Sequence, residues 1–176
     1  MRVTFGASTD VSDRPARDLG FSRTIGERRT IAGAAFAQGI GVAGAAAGND
    51  PSIGIQRVAG ATKKILVREV RVFVSAVATV EIYLDDPIPA GGTVNNPTAS
   101  RNRLASSSTA PDGRIRTYTT LAAGVTIIED IPSLPANTEY RYRVQWAIDN
   151  DTTLLYFRAI DLGTGVIRGN FEWDEE

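Results

Sequence analysis

The stretch Thr138 to Trp146 alternates without interruption. Tyr140, Tyr142, Val144 and Trp146 fall on one side, and Glu139, Arg141, Arg143 and Gln145 on the other. A period of two held this long places side chains on opposite faces of an extended chain, so the segment reads as a half-buried antiparallel strand and not as a helix. The rest of the C-terminal two-thirds follows suit. Lys64 to Val74 and Val77 to Leu84 are β-branched runs around a short small-residue link and predict a hairpin. Thr153 to Ile160 and Val166 to Trp173 are further strands joined by Asp161 to Gly165, with Ile167, Phe171 and Trp173 on one face of the second and Arg168, Asn170 and Glu172 on the other. Ser52 to Val58, Arg114 to Thr120 and Gly124 to Glu129 are shorter candidates. About eight strands without an amphipathic helix predict an all-β fold, an antiparallel β-sandwich of jelly-roll type.

The first third is a different material. Met1 to Thr30 is polar and irregular, and Ile31 to Gly60 is rich in alanine and glycine with Asp50 and Arg57 as its only charges. Alanine favours helix, but each glycine inside one costs about 1 kcal/mol, so no stable helix is expected. The expected organisation is an extended N-terminal arm over residues 1–52 and a sandwich over 53–176. A polar arm without a core of its own takes its order from a partner. A second irregular stretch, 85–113, is built of Pro, Gly, Asn, Ser and Thr. Connections this long in compact domains are functional or disordered, and this one is long enough to wrap a neighbour.

Three motifs in the first third carry less than they suggest. Arg28-Arg29 before an apolar run ending at Ala45-Ala46-Ala47 imitates a twin-arginine export signal, but its lead-in is long and glycine breaks the run. Gly39-Ile40-Gly41-Val42-Ala43-Gly44 spells G-x-G-x-x-G, yet no βαβ alternation follows it. The run is also too short and too glycine-rich to span a bilayer, which takes about 20 apolar residues.

Composition narrows the chemistry. The chain of 176 residues has no cysteine and no histidine, which removes disulfides, thiolate nucleophiles, Cys/His metal sites and histidine-based triads together. A net charge of −1 gives no basic excess for nucleic acid. Lys63 and Lys64 are the only lysines among 19 basic residues. Arginine suits forked, desolvated carboxylate contacts at interfaces, although a GC-rich gene produces the same bias. A carboxylate enzyme would need two acids converging, whereas Asp85-Asp86, Glu129-Asp130 and Asp149-Asn150-Asp151 all fall where turns or strand ends explain them. Asp149, Asn150 and Asp151 lack the loop that would make them a calcium site. Tyr83, Tyr118, Tyr140, Tyr142, Tyr156 and Trp146 leave a second reading open, a carbohydrate-binding sandwich with rings stacked on sugars.

The last strand, Gly169-Asn170-Phe171-Glu172-Trp173-Asp174-Glu175-Glu176, resembles the F-E-W-acidic ending of small virion structural proteins of tailed bacteriophages. Lys63 to Val72 resembles an early strand of those chains, and Pro135-Ala136-Asn137-Thr138-Glu139-Tyr140 resembles a turn leading into another. The resemblance covers about 53–176. It implies a non-enzymatic capsid decoration (cement) protein on the virion surface, made in the host cytoplasm, with a head-fibre or tail component as the alternative. It implies the major capsid protein or another virion protein as partner, assembly as a homo-oligomer with a trimer as one form, and no catalytic residue or cofactor. Nucleic acid and membrane are not expected partners. The residues expected to face the partner are Arg14, Arg17, Arg23, Arg28 and Arg29 of the arm, Phe36 in the Ala/Gly-rich segment, and Arg101 and Arg103 of the long connection.

Overall fold

A computed structural model describes residues 34–44, 50–94, 101–102, 110–124 and 126–176. These form eleven strands and, among the described residues, no helix: β1 (Ala35–Ala43), β2 (Ser52–Arg57), β3 (Ile65–Val74), β4 (Ala78–Asp85), β5 (Thr93–Val94), β6 (Arg101–Asn102), β7 (Gly113–Tyr118), β8 (Ile127–Leu134), β9 (Thr138–Ile148), β10 (Leu154–Ile160) and β11 (Val166–Glu175). The five-stranded sheet runs β6-β1-β11-β3-β9 and the six-stranded sheet β5-β7-β2-β10-β4-β8. All pairings are antiparallel. Without β5, β6 and β7, the sheets read β1-β11-β3-β9 and β2-β10-β4-β8. Each link between these eight strands crosses to the facing sheet except the one from β4 to β8, which pair within one sheet, and this order of two Greek keys defines a jelly roll.

Three expectations are corrected. Lys64 to Leu84 is not a hairpin: β3 and β4 lie in different sheets, and the short link 75–77 carries the chain across the sandwich. The sandwich does not begin at residue 53, because β1, drawn from the Ala/Gly-rich segment, is paired along its whole length with β11 from Ala35↔Asp174 to Ala43↔Val166. Within it Phe36 and Gln38 are buried while Gly39 and Gly41 face outward, so the strand is apolar inward and nearly side-chain-free outward. The same pairing makes Gly39-Ile40-Gly41 a strand interior and not a phosphate-binding turn. Finally, the connection after β4 contributes to both sheets, since β5 pairs with β7 and β6 with β1. Residues 1–33, the greater part of the expected arm, lie outside the described residues.

The core fills the space between the sheets. Phe157 from β10 meets Tyr142 of β9 and Phe171 of β11 edge-on, at ring-centroid distances of 5.6 Å and 6.0 Å. Such contacts contribute about 0.5–1.5 kcal/mol each beyond area burial. Phe36 stacks on Trp173 at 5.7 Å, which locks the first strand to the last. In β3 the buried positions change parity, from Ile65 and Val67 to Val70, Val72 and Val74. Against β11 a register shift between Glu172 and Trp173 leaves Arg68 as the extra residue, and the pairing with β9 shifts at the same place, where β9 has two residues opposite Arg68. Its Nε lies 3.1 Å from Oδ2 of the buried Asp174.

A second apolar layer covers the outside of the six-stranded sheet. Tyr83, Tyr118, Leu121, Leu154 and Tyr156 are buried there, with Ile88 packed against them. Leu154 to Phe157 is consequently buried on both faces of β10, which explains why that strand reads as a continuous apolar run.

Candidate interaction surface

The sandwich leaves one sheet face uncovered among the described residues, the outside of β1-β11-β3-β9. The register lays its side chains out in rows. Gly41, Arg168, Phe73 and Glu139 form one row, Gly39, Asn170, Arg71 and Arg141 the next, and Ala37, Glu172, Glu69 and Arg143 the third. Like charges thus sit directly opposite each other, Glu172 by Glu69 and Arg71 by Arg141, an arrangement that is unfavourable by itself. Arg71 resolves it by reaching across rows: its Nε donates to Glu69 Oε1 at 2.6 Å and its Nη2 to Glu172 Oε1 at 3.3 Å. Arg143 Nε approaches Glu69 Oε2 at 3.7 Å, and Arg141 Nε approaches Glu139 Oε1 at 3.7 Å. The Arg71 hydrogen bond holds the Glu69 carboxyl below the usual carboxylate range and makes the guanidinium more firmly charged.

At one end of this grid lies an open depression of about 560 Å³. Its walls are Arg71, Phe73, Glu139, Arg168 and Asn170, and Gly39 and Gly41 leave it open on the β1 side. The Arg168 guanidinium lies over the Phe73 ring, 5.7 Å from its centroid.

The carboxylates elsewhere are spent on structure. Asp85 Oδ2 accepts from the Tyr156 hydroxyl at 2.9 Å, and its Oδ1 from the Thr126 amide at 3.2 Å. Burial and that carboxylate push the Tyr156 hydroxyl far above its ordinary range. Arg158 is held between Asp50 and Glu81, with Nη1 2.9 Å from Glu81 Oε2. Tyr83 donates to that same Glu81 oxygen at 2.5 Å, and burial together with this bond pushes its hydroxyl up to about 12. Glu175 Oε1 accepts three hydrogen bonds, from the amides of Asp112 (2.7 Å) and Gly113 (3.0 Å) and from Trp173 Nε1 (3.0 Å). Burial nevertheless outweighs them and raises the Glu175 carboxyl above its ordinary value. Asn150 Oδ1 accepts from the amides of Thr152 and Thr153 at 3.1 and 2.8 Å, so this segment is a turn. Among the described residues no group of three or more acids is arranged to hold a metal ion.

Of the residues expected to face a partner, Phe36 is corrected: it is fully buried against Trp173 and belongs to the core. Its neighbours are too small to have shown, in sequence, which side faced inward. The backbone of Arg101 lies in β6 opposite Ala37. Arg14, Arg17, Arg23, Arg28, Arg29 and Arg103 lie outside the described residues. Among the rings considered for sugar stacking, Tyr83, Tyr118, Tyr142 and Tyr156 are buried, and Tyr140 and Trp146 are partly buried against the core. The outward residues of β11 were visible in the alternation of that strand. Their meeting with Phe73, Arg71 and Gly39 depends on register, which sequence does not display.

No protein family and no curated protein matches the chain. Among solved structures, that of tomato aspermy virus by X-ray crystallography is similar at a TM-score of 0.29 and 15% identity, over 78% of this chain and 76% of that one.

Proposed function

We propose that the chain is a non-enzymatic structural protein of a tailed-phage virion, a capsid decoration protein that docks on the major capsid protein through its N-terminal arm. The observation that carries this reading is the jelly-roll order of the two sheets, a self-supporting frame used in shells and attachment domains. Fold alone does not give function. The phage-like ending of the chain and the absence of histidine and cysteine from the sequence add to the reading. The acids add to it as well: Asp85, Glu81 and Glu175 each serve a separate structural bond and do not converge on one pocket. A head-fibre or tail component would use the same frame. The carbohydrate reading loses support because four of its six rings are buried.

Immunogold labelling of intact virions, with antibody raised to the purified sandwich, is expected to mark the capsid surface. Deleting residues 1–33 stops short of β1, which starts at Ala35, and is expected to abolish binding to stripped particles while leaving the melting transition in place. Particles that carry no label, or full occupancy by the truncated protein, would defeat the proposal.

A further inference from the structure

We propose that the depression on the outside of the five-stranded sheet receives an aspartate or glutamate side chain of a protein partner, with Arg168 and Asn170 as its donors. The inference deepens the attachment reading and rests on it for its biological sense.

Charge bookkeeping across the face leads there. Three of its four arginines have carboxylate partners on the same face: Arg71 with Glu69 and Glu172, Arg141 with Glu139, Arg143 with Glu69. Among the described residues Arg168 has none: its guanidinium lies over the Phe73 ring, and its stem passes beside Gly41, where an added Cβ would stand 3.1 Å from Arg168 Cγ. Asn170, two positions along on the same side of β11 and about 7 Å away, likewise has no side-chain hydrogen bond among the described residues. Both open onto the same depression.

The surroundings suit a carboxylate on a protein chain. A guanidinium presents forked N–H donors that match a carboxylate, and one already stacked on an aromatic ring loses less freedom on binding. Beside Arg168 and Asn170 stand Gly41 and Gly39, their register partners on β1. A Cβ placed on Gly39 would meet only the Gly169 carbonyl, at 3.9 Å, so the space beside Asn170 is open to another backbone. Glu139 is the one acid in the depression, and Arg141 stands against it.

The test uses the full chain, labelled with nitrogen-15, titrated with the peptide acetyl-Gly-Ala-Glu-Ala-Gly-amide and with its glutamine counterpart. The glutamate peptide is expected to give saturating shifts at Arg168 Nε–H, the Asn170 side-chain amide and the amides of Gly39 and Gly41. The glutamine peptide, and the R168Q variant with the glutamate peptide, should bind about tenfold more weakly. Gly39→Thr, which fills the depression without touching its charge, should weaken binding as well. Equal shifts from both peptides, no shifts, or an unaffected R168Q would overturn the inference. So would shifts at these groups from cellohexaose alone, which assign the site to a glycan, or from raising the protein concentration alone, which assign it to a second copy. R168Q that decorates particles as well as the parent sinks this inference and leaves attachment standing. A parent chain that decorates nothing sinks attachment, while the peptide titration still reads the depression.

Discussion

Trp173 and Glu175, two positions apart on β11, are joined by an indole N–H to carboxylate hydrogen bond of 3.0 Å in the buried interior. The same oxygen caps the start of β7 through the amides of Asp112 and Gly113. Gly113 is required there, since a Cβ on it would stand 2.7 Å from the Trp173 indole nitrogen. One side chain therefore ties the last strand of one sheet to an added strand of the other.

Glu175→Gln keeps an acceptor for these three donors and removes a buried charge, so its stability at pH 7 is expected to equal or exceed the parent's. Glu175→Ala leaves the donors unmet and should cost about 2–4 kcal/mol in urea denaturation. Because the folded state raises this carboxyl, the native protein holds its proton more tightly than the unfolded chain. The Glu175 contribution therefore falls as pH rises from the ordinary glutamate value through the raised one. The stability gap between parent and Glu175→Gln, followed from pH 4 upward, should move in the variant's favour; a flat gap would contradict the assignment.

Arg71→Met leaves Glu69 and Glu172 facing each other without their shared partner. The expected loss is about 0.5–1 kcal/mol, smaller at 1 M salt, as for partly exposed pairs. Glu69 is held below its usual range, so its contribution is present above the unfolded pKa and disappears as pH falls through the folded one. Carbon-13 titration of the Glu69 carboxyl should show an upward move in the variant; an unchanged midpoint would show that Arg71 does not hold it.

All five tyrosines are raised above their ordinary range, with burial the leading cause in each. The folded state favours the neutral phenols, so stability is expected to fall as pH climbs past about 10. Absorbance at 295 nm should report no reversible phenolate near pH 10 and a cooperative rise with alkaline unfolding. A tyrosine titrating freely near 10 in the folded protein would count against this packing.

Phe36→Ala should cost about 3–5 kcal/mol, as for other buried aromatics, and lower the melting temperature sharply. Phe36→Leu should recover much of that loss. A surface role would make both substitutions thermally silent.

How far sequence reached is visible strand by strand. β9 and β11 showed themselves through alternation, because one face of each is buried and the other is charged. β1 did not: its outward positions are Ala37, Gly39, Gly41 and Ala43, and its inward ones include Gln38, so no contrast marks the two faces. β8 is exposed through most of its length and gave no periodic signal, and the candidate at Gly124 to Glu129 reaches only the first three of its eight residues. The false hairpin at 64–84 arose because short links in a jelly roll cross between sheets as readily as they reverse within one. The parity change at Arg68 was present in the residues but acquires meaning only against its neighbours. The candidate surface was half legible: the outward side of β11 could be read, but the company it keeps could not.

The pairing of β1 with β11 sets a timetable for synthesis. Phe36 and the inward side of β1 are made before β2 to β10, while Trp173 on β11, which stacks on Phe36, is made after them. While β2 to β10 are being made, β1 has no neighbour on its β11 side, and closure of the sandwich waits for β11. Alanine and glycine along this strand keep the waiting segment weakly sticky, so the composition that hid it from sequence reading also suits it to the delay.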